Sequence, residues 1–218
     1  MKTIVFDTET TGLPEKFNTP ITETDKWPYI VQLSWILYDT TTHEVINIQD
    51  HIIKCPIDIP LESSKIHGIT NSYAKRKGIP LQEAMDLFDI DVQKADLMVA
   101  HNISFDKRVY MVEAIRNTRP HYFTNGNGHS EKPEYCTMKE TKIFCNIEKT
   151  STYWGKYIKY PSLLELHEKI FGVIANGAHN SMVDVLICLR CYISYTQNID
   201  ILKHNKTLSK IYQLNCEH

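Results

Sequence analysis

Apolar and polar residues along this chain follow two spacings, and the first of them is typical of strands. Residues 3–6 are a short β-branched run, and residues 29–38 and 45–53 are apolar stretches of strand length. The polar segment 39–42 joins the last two, which predicts an antiparallel hairpin. The chain is therefore expected to begin with antiparallel strands.

Helical spacing follows in the middle and at the end of the chain. Two amphipathic helices, on either side of a short apolar strand at residues 97–100, are predicted from the positions Leu81, Met85, Phe88 and Val92 and the positions Phe105, Val109, Val112 and Ile115. A capping box of Ser162 and Glu165 predicts the start of a further helix, which Gly172 should end. A last long helix is predicted from the stripe Met182, Leu186, Leu189 and Ile193. The order of elements predicts an α/β fold with a central mixed sheet, antiparallel strands first and parallel strands later, flanked by helices on both faces.

Two polar segments and the end of the chain interrupt this pattern. Residues 125–133 are rich in Asn, Gly and charge, and residues 149–160 contain three tyrosines, a tryptophan and three lysines, so both are predicted to be surface loops. The second suits a single-stranded nucleic acid through phosphate attraction and base stacking, and equally suits a solvated loop whose tyrosines pack back onto the body. Residues 1–197 are expected to form one domain, and residues 198–218 either a docked helix or a frayed end.

The composition of the chain limits its possible functions but does not identify one. The 218 residues are 42% hydrophobic and 23% charged, as expected of a soluble globular domain. A net charge of −2 gives no general cationic field, so a nucleic acid would have to be bound by local features. Six scattered cysteines and the lack of a leader or membrane-span pattern predict a soluble intracellular protein, cytoplasmic or nuclear and not secreted. The pair Cys188 and Cys191 is predicted to pack in the core rather than to bind zinc.

The first candidate chemistry is a pair of acids at the end of the first predicted strand. Asp7 and Glu9 are two residues apart, so both carboxylates should point to the same side of the strand. Two adjacent carboxylates repel unless a cation lies between them or one is protonated. Magnesium suits such a pair because it prefers oxygen ligands. Taken alone, such a pair is more often a solvated sheet edge.

Further acids follow later predicted elements. Asp106 lies just after the strand at residues 97–100, where its alternative role is to cap a helix. His179 and Asp184 are five residues apart at the start of the last helix, after the loop 176–178. A histidine on that loop and an aspartate one turn into the helix could face the same cavity, although an ordinary helix cap with a solvated histidine would give the same sequence.

Three segments of the chain resemble the motifs of a known enzyme family. F-D-T-E-T-T-G-L at 6–13, A-H-N-I-S-F-D at 100–106 and H-N-S-M-V-D at 179–184 are similar, in this order, to the motifs of the DEDDh (DnaQ-like) 3′→5′ exonucleases. This is the proofreading-exonuclease-like group of the ribonuclease H-like fold. The resemblance runs from residue 3 to about 196, with residues 66–70 and 135–138 as lesser landmarks. Between His179 and Asp184, residues 180–182 are not the ones most expected, and they are predicted to stay clear of the chemistry.

The resemblance implies a role for each matching position. It implies that two Mg²⁺ ions, for which Mn²⁺ can substitute, are held by four acids and that His179 is the general base. It further implies release of nucleoside 5′-monophosphates, with Leu13 as a wedge against the last base. The implied metal ligands are Asp7, Glu9, Asp106 and Asp184, and the implied substrate contacts are Thr10, Thr11, Gly12, Leu13, His67, Asn102 and Phe105.

Several functions remain open at this point. The favoured hypothesis is an exonuclease on single-stranded DNA or DNA ends, of a proofreading or repair type, and a polymerase is a possible partner. The same chemistry on RNA is an alternative, because nothing in the sequence reads a 2′-hydroxyl. A non-catalytic nucleic-acid-binding module of the same fold and a small-molecule metal phosphatase are further alternatives. The sequence does not predict the oligomeric state.

Overall fold

The computed structural model describes residues 1–124, 130–153 and 155–216 and arranges them around a five-stranded sheet. The strands lie in the order β3-β2-β1-β4-β5. Pairing is antiparallel between β1 and β2 and between β2 and β3, whereas β4 is parallel to both β1 and β5. The mixed sheet confirms the predicted fold class. The strands are β1 (Lys2–Thr10), β2 (Ile30–Asp39), β3 (Glu44–Ile52), β4 (Leu97–Ala100) and β5 (Glu134–Cys136).

Helices cover both faces of the sheet. The helices are α1 (Leu61–His67), α2 (Asn71–Lys77), α3 (Leu81–Lys94), α4 (Ile103–Arg116), α5 (Thr137–Glu140), α6 (Lys142–Cys145), α7 (Leu163–Phe171), α8 (Ser181–Gln197), α9 (Ile201–His204) and α10 (Lys206–Cys216). Within the described residues, none of these helices combines the length and the apolar character needed to cross a bilayer.

The alternation of side chains along β1 decides which residues meet which helices. Ile4 and Phe6 pack in a core cluster with residues of α3 and α4. Val5 points to the other face and packs in a second cluster that is dominated by α8. Because side chains two apart share a face of the strand, Asp7 and Glu9 lie on the α8 side, as Val5 does. The same alternation that builds the core therefore aims two carboxylates at α8.

Two predicted boundaries differ from the structure. β1 continues to Thr10, so Asp7 and Glu9 lie within the strand and not at its end. Residues 149–160 were predicted to be a surface loop, which is wrong for most of the segment, because β6 (Glu148–Ser151) and β7 (Gly155–Ile158) form an antiparallel hairpin. Of the other predicted loop, residues 125–129 lie outside the described residues, and Thr124 and Ser130 beside them form an isolated antiparallel bridge.

The predicted helix starts and ends are well defined. Ser162 accepts a hydrogen bond from the N–H of Glu165, and the Glu165 side chain accepts one from the N–H of Ser162, so the capping box is present. Gly172 ends α7 with a positive φ of 74°. Cys188 and Cys191 are buried within α8, in agreement with their predicted packing role.

The last two helices pack against α8. Leu208 and Tyr212 of α10 are buried in the cluster that α8 dominates. The Tyr212 hydroxyl lies 2.7 Å from Nε2 of His167 in α7. At its far end, α10 reaches the loop before α8, where the N–H of Asn176 donates to the carbonyl oxygen of Cys216 at 3.0 Å. Residues 198–216 are thus joined to the body at both ends of α10.

Candidate active site

Three carboxylates converge where β1 meets the start of α8. Asp7, Glu9 and Asp184 each offer an oxygen, and these oxygens lie within 4.8 Å of one another. The hydroxyl of Ser181, the first residue of α8, donates to the main-chain carbonyl of Asp7 at 2.7 Å. That bond joins the beginning of the helix to the strand, and Asp184 lies one turn further on. The alternation of side chains along β1 and one hydrogen bond between residues far apart in the sequence therefore bring these acids together.

Asp106 lies beside this cluster in the first turn of α4. Its side chain is buried, and its Oδ1 accepts hydrogen bonds from both the N–H of Thr8, at 3.0 Å, and the hydroxyl of Thr8, at 2.8 Å. Asp106 lines the same cleft as the three clustered acids, and its charge acts on Asp7. The structure thus brings all four predicted acids to one cleft, and it fixes one oxygen of Asp106 to β1.

Burial raises the pKa of all four acids, and the charges of neighbouring carboxylates raise it further for Asp7, Glu9 and Asp106. Burial raises the pKa of Asp7 well above its usual range, and the neighbouring carboxylates raise it further. Burial, with the charges of Asp184 and Asp106, raises the pKa of Glu9 to about 8. Burial raises the pKa of Asp106 to about 7 against the opposing bonds from Thr8, and that of Asp184 to about 6. All four side chains offer oxygen ligands, and their raised pKa values show that the cluster disfavours so much negative charge. The site therefore fits a hard divalent cation.

His179 occupies the loop immediately before α8. Its φ is 72°, a left-handed value in which histidine is more common than most side chains. Its main-chain N–H donates to Oδ2 of Asp184 at 3.2 Å, and its exposed side chain lines the cleft. Asn180 caps α8 by accepting from the N–H groups of Met182 and Val183. The loop therefore holds an accessible imidazole beside the acids.

The predicted substrate contacts divide into two groups. Leu13, Asn102 and Phe105 line the cleft with the acids, and the Leu13 side chain is 81% exposed. The other predicted contacts also belong to the part of the chain that the structure describes, but they do not line the cleft: these are Thr10, Thr11, Gly12 and His67.

The second group supports the turn that carries Leu13. The hydroxyl of Thr10 donates to the carbonyl of Gly12 at 2.6 Å, and the hydroxyl of Thr11 accepts from the N–H of Tyr29 at 2.9 Å. His67 is buried, which lowers its pKa, and the main chain of Thr10 acts on it in the opposite direction. These side chains shape the turn from within.

The sequence did not identify some residues that organise the site. Thr8 fixes Asp106, and Ser181, which was predicted to stay clear of the chemistry, fixes the strand that carries Asp7. Burial lowers the pKa of His101 to about 4, and its ring nitrogens bond with the hydroxyl of Thr137 at 2.9 Å and the carbonyl of Pro161 at 3.1 Å. Thr8 lies between two motif acids and Ser181 three residues before another, which is the sequence signal that could have revealed the two hydroxyls.

Carboxylates that converge at a cleft beside a mixed sheet fit the metal-dependent hydrolysis of phosphodiesters. Residues 4–192 match the exonuclease family RNase_T. The chain belongs to this family, as a DEDDh-type 3′→5′ exonuclease. Membership implies divalent metal ions, for which the three clustered carboxylates offer ligands. A search of curated proteins finds no significant match.

Solved structures with little sequence identity share the fold. Exonuclease X, solved with 5′ overhanging duplex DNA, is 19% identical with a TM-score of 0.54, over 96% of this chain and 99% of that one. E. coli exonuclease I, solved with a dT13 oligonucleotide, is 18% identical with a TM-score of 0.63, over 96% of this chain and 45% of that one. A full-length 3′-exonuclease is 14% identical with a TM-score of 0.64, over 90% of this chain and 60% of that one. This chain thus spans less than half of exonuclease I.

Proposed function

We propose that this protein removes nucleotides from the 3′ end of single-stranded DNA or of DNA ends and releases nucleoside 5′-monophosphates. The observation that carries the proposal is the meeting of Asp7, Glu9 and Asp184 beside Asp106, in a cleft that also contains His179 and the exposed Leu13. The solved complexes of exonuclease X and exonuclease I contain DNA, which supports DNA as the substrate class. A proofreading or repair role is the setting in which such an activity would serve.

The four acids would hold two Mg²⁺ ions, with Mn²⁺ as a substitute. When bound, such ions stabilise the attacking and leaving oxygens of an in-line displacement at phosphorus. Each of the four acids is held in a fixed position. Asp7 and Glu9 are set by the strand, Asp184 by the helix that Ser181 ties to that strand, and Asp106 by its two bonds to Thr8.

His179 would take the proton from the attacking water. Imidazole is a suitable base at neutral pH, and its position on an exposed loop lets it reach the water when substrate fills the cleft. The bond from its N–H to Asp184 keeps the loop against the site without occupying either ring nitrogen. The loop thereby keeps the proposed base beside the acid cluster.

Leu13, Asn102 and Phe105 would hold the terminal nucleotide. Leu13 projects from the turn that Thr10 and Thr11 stabilise, which leaves its apolar side chain free to press against the last base. Phe105, one residue before Asp106 in α4, offers a ring on the same cleft. The 3′ end would thus be placed beside the acids by apolar contacts that do not depend on base identity.

The decisive experiment is digestion of a 5′-labelled single-stranded DNA oligonucleotide with Mg²⁺, with Mn²⁺ and with chelator. A matched RNA strand is digested in parallel, and Asp7→Ala and the exposed-surface variant Asp58→Ala are compared with the wild type. A ladder that shortens from the 3′ end, needs metal and disappears only in Asp7→Ala supports the proposal. Faster shortening of RNA would mean that RNA and not DNA is the substrate. Binding without any shortening would mean that the protein binds nucleic acid without hydrolysing it.

A further inference from the structure

A row of polar side chains crosses the α8 face of the sheet beside the acids. Gln32 pairs with Glu9 across β1 and β2. Asp50 of β3 pairs with Ser34 of β2, which itself pairs with Asp7. Because paired residues project from the same face of a sheet, the polar row of Gln32, Ser34 and Asp50 lies on the side of the acids. None of these three residues belongs to the motifs described above.

Gln32 connects this polar row to the start of α8. Its side chain is fully buried. Its Nε2 donates to Oδ1 of Asp50 at 2.7 Å and lies 3.5 Å from Oδ1 of Asn180, and its Oε1 accepts from the N–H of Ser181 at 3.2 Å. A buried carboxamide bonded at both ends is costly to replace, because each lost partner leaves a buried polar group unpaired. One side chain therefore joins β3 to the first residue of α8.

Asp50 decides which way the carboxamide faces. A carboxylate accepts hydrogen bonds and does not donate them, so the Nε2 end of Gln32 must face Asp50 and the Oε1 end must face Ser181. The hydroxyl of Ser34 donates to the same Oδ1 of Asp50 at 2.7 Å and keeps that carboxylate in place. The orientation of the buried amide is thus set from β3.

Ser181 is held by two strands at once. Its N–H donates to Gln32 of β2, and its hydroxyl donates to the main-chain carbonyl of Asp7 in β1. The N–H of the first helical residue has no partner within its own helix, so Gln32 satisfies a group that α8 cannot. His179 lies two residues before this point and Asp184 three residues after it. A displacement of Ser181 would therefore move both of them.

We propose that Gln32 is a positioning residue for the hydrolysis: oriented by Asp50, it fixes the start of α8 and with it the imidazole of His179. The inference rests on the proposed function, in which His179 takes the proton from the attacking water. Misplacing a reacting group by about 1 Å costs on the order of 100-fold in rate. Gln32 thus acts through the loop and the helix, and not on the substrate.

The test exchanges the amide and the carboxylate. Gln32→Glu puts an oxygen in place of Nε2, so that two carboxylates face each other where the bond to Asp50 was. Asp50→Asn alone keeps an acceptor oxygen for the Gln32 amide. In the double variant Gln32→Glu/Asp50→Asn the two groups have changed places, and the hydrogen bond between positions 32 and 50 forms again. Gln49→Glu is the matched control for an added carboxylate, because Gln49 projects from the opposite face of β3.

Two quantities are measured on each protein. One is the kcat and KM for shortening of a 5′-labelled DNA strand with Mg²⁺, and the other is hydrogen exchange over residues 176–184 without DNA. Gln32→Glu should lower kcat by about 10- to 100-fold with little change in KM. Exchange should become roughly 5- to 150-fold faster, the range for loss of a buried hydrogen bond. The double variant should recover most of both, Asp50→Asn should have a much smaller effect, and Gln49→Glu should have none.

A third comparison asks whether Gln32 acts through His179. In a His179→Ala background, Gln32→Glu should lower kcat little further, because the group that it positions is already absent. Losses that multiply in full would overturn the inference. Melting temperatures are recorded for every variant, since a merely structural role would lower them without changing kcat well below the melting transition.

A loss in Gln32→Glu that Asp50→Asn does not repair would assign the effect to charge added near the acids and overturn the inference. So would a lower melting temperature with kcat unchanged. Unchanged hydrogen exchange in Gln32→Glu would overturn it whether or not DNA is shortened. If the wild type shortens no strand while exchange follows the expected pattern, the hold of Gln32 on α8 stands and the proposed function fails.

Discussion

The hydroxyl of Thr8 and the main-chain N–H of the same residue both donate to Oδ1 of Asp106, at 2.8 and 3.0 Å. These bonds favour the ionised carboxylate and oppose the burial that raises its pKa to about 7. Thr8 lies between Asp7 and Glu9, and its side chain projects to the opposite face of β1. The same short segment of strand therefore supplies two acids and orients a third.

Thr8→Val should raise the pKa of Asp106 further, because it removes the hydroxyl and keeps the main-chain bond. A smaller fraction of Asp106 would then be ionised at neutral pH, and the acidic limb of the activity profile should move to higher pH. The measurement is the hydrolysis rate across pH 6–9, with Thr8→Ser as the matched control that keeps the hydroxyl. An acidic limb at the same pH in Thr8→Val would mean that the hydroxyl does not tune this acid.

Stability without metal should fall as pH rises through the window of the acid cluster. The folded pKa values of Asp184, Asp106 and Glu9 are about 6, 7 and 8, against ordinary values of 3.8 to 4.5. A raised folded pKa means that the folded state binds more protons than the unfolded state between about pH 4 and 8, so the stabilising contribution is complete at the acid end and lost towards pH 8. Mg²⁺ should therefore raise the melting temperature more at pH 8 than at pH 6. Thermal melts with metal and with chelator at both pH values check this, and an equal increment would contradict it.

Asp7→Ala should abolish hydrolysis and leave the protein folded. The substitution removes a partly buried carboxylate that its neighbours repel, so stability in chelator at neutral pH should be maintained or raised, by about 2–4 °C in melting temperature for each kcal/mol gained. Asp58→Ala removes an exposed carboxylate and should change neither property. Circular dichroism melts and the digestion assay measure both, and residual hydrolysis near the wild-type rate would remove Asp7 from the mechanism.

His179→Ala should lower the hydrolysis rate by about 10²- to 10⁴-fold, as loss of a general base does. The left-handed backbone at this position complicates alanine, whereas asparagine accepts that conformation more readily. His179→Asn should lose the same activity with a smaller change in stability. His204→Ala, at the end of α9, is the control for the loss of an exposed imidazole. Near-full activity in both variants at position 179 would assign the base elsewhere.

Gly177→Ala should reduce hydrolysis through the loop that carries His179. Gly177 has a φ of 76°, and an added Cβ would lie 2.6 Å from the carbonyl oxygen of Asn215 in α10. The loop must shift, and the imidazole two residues later shifts with it. Gly172→Ala is a matched control, because its φ of 74° brings the same backbone strain with open space around the Cβ. Both should cost about 1 kcal/mol or more of stability, whereas only Gly177→Ala should also lower kcat; equal kcat values in the two variants would uncouple α10 from the site.

The parts of the fold with regular apolar spacing were predictable from the sequence. Residues 97–100 form β4 as predicted, and the capping box at Ser162 starts α7, because both signals depend on local chemistry alone. α1 and α2 have seven residues each and few apolar positions, so periodicity could not reveal them. The hairpin of β6 and β7 was hidden by its lysines and tyrosines, which are as common in loops as in exposed strands.

The site, like the fold, was predictable where its residues are close in the sequence and not where they are far apart. The spacing of Asp7 and Glu9 could be converted into a shared face of a strand, and His179 and Asp184 into a loop and the first helical turn after it. The bonds from Thr8 to Asp106 and from Asn176 to Cys216 join residues far apart in the chain, and no spacing rule connects such positions. Leu13 was predicted to lie at the cleft, whereas the bonds from Arg108 to the loop that follows Leu13 join residues far apart in the chain.

The bond from Ser181 to the main chain of Asp7 spans 174 positions of sequence, and it has a consequence for synthesis of the protein. Contacts between such distant residues form late in folding, because the intervening chain must be made and ordered first. A nascent chain that has left the ribosome only as far as α7 carries Asp7, Glu9 and Asp106 without Asp184 or the imidazole. Nuclease activity would therefore switch on only after α8 has been translated, so that chains stopped before α8 could not degrade nucleic acid in the cell that makes them.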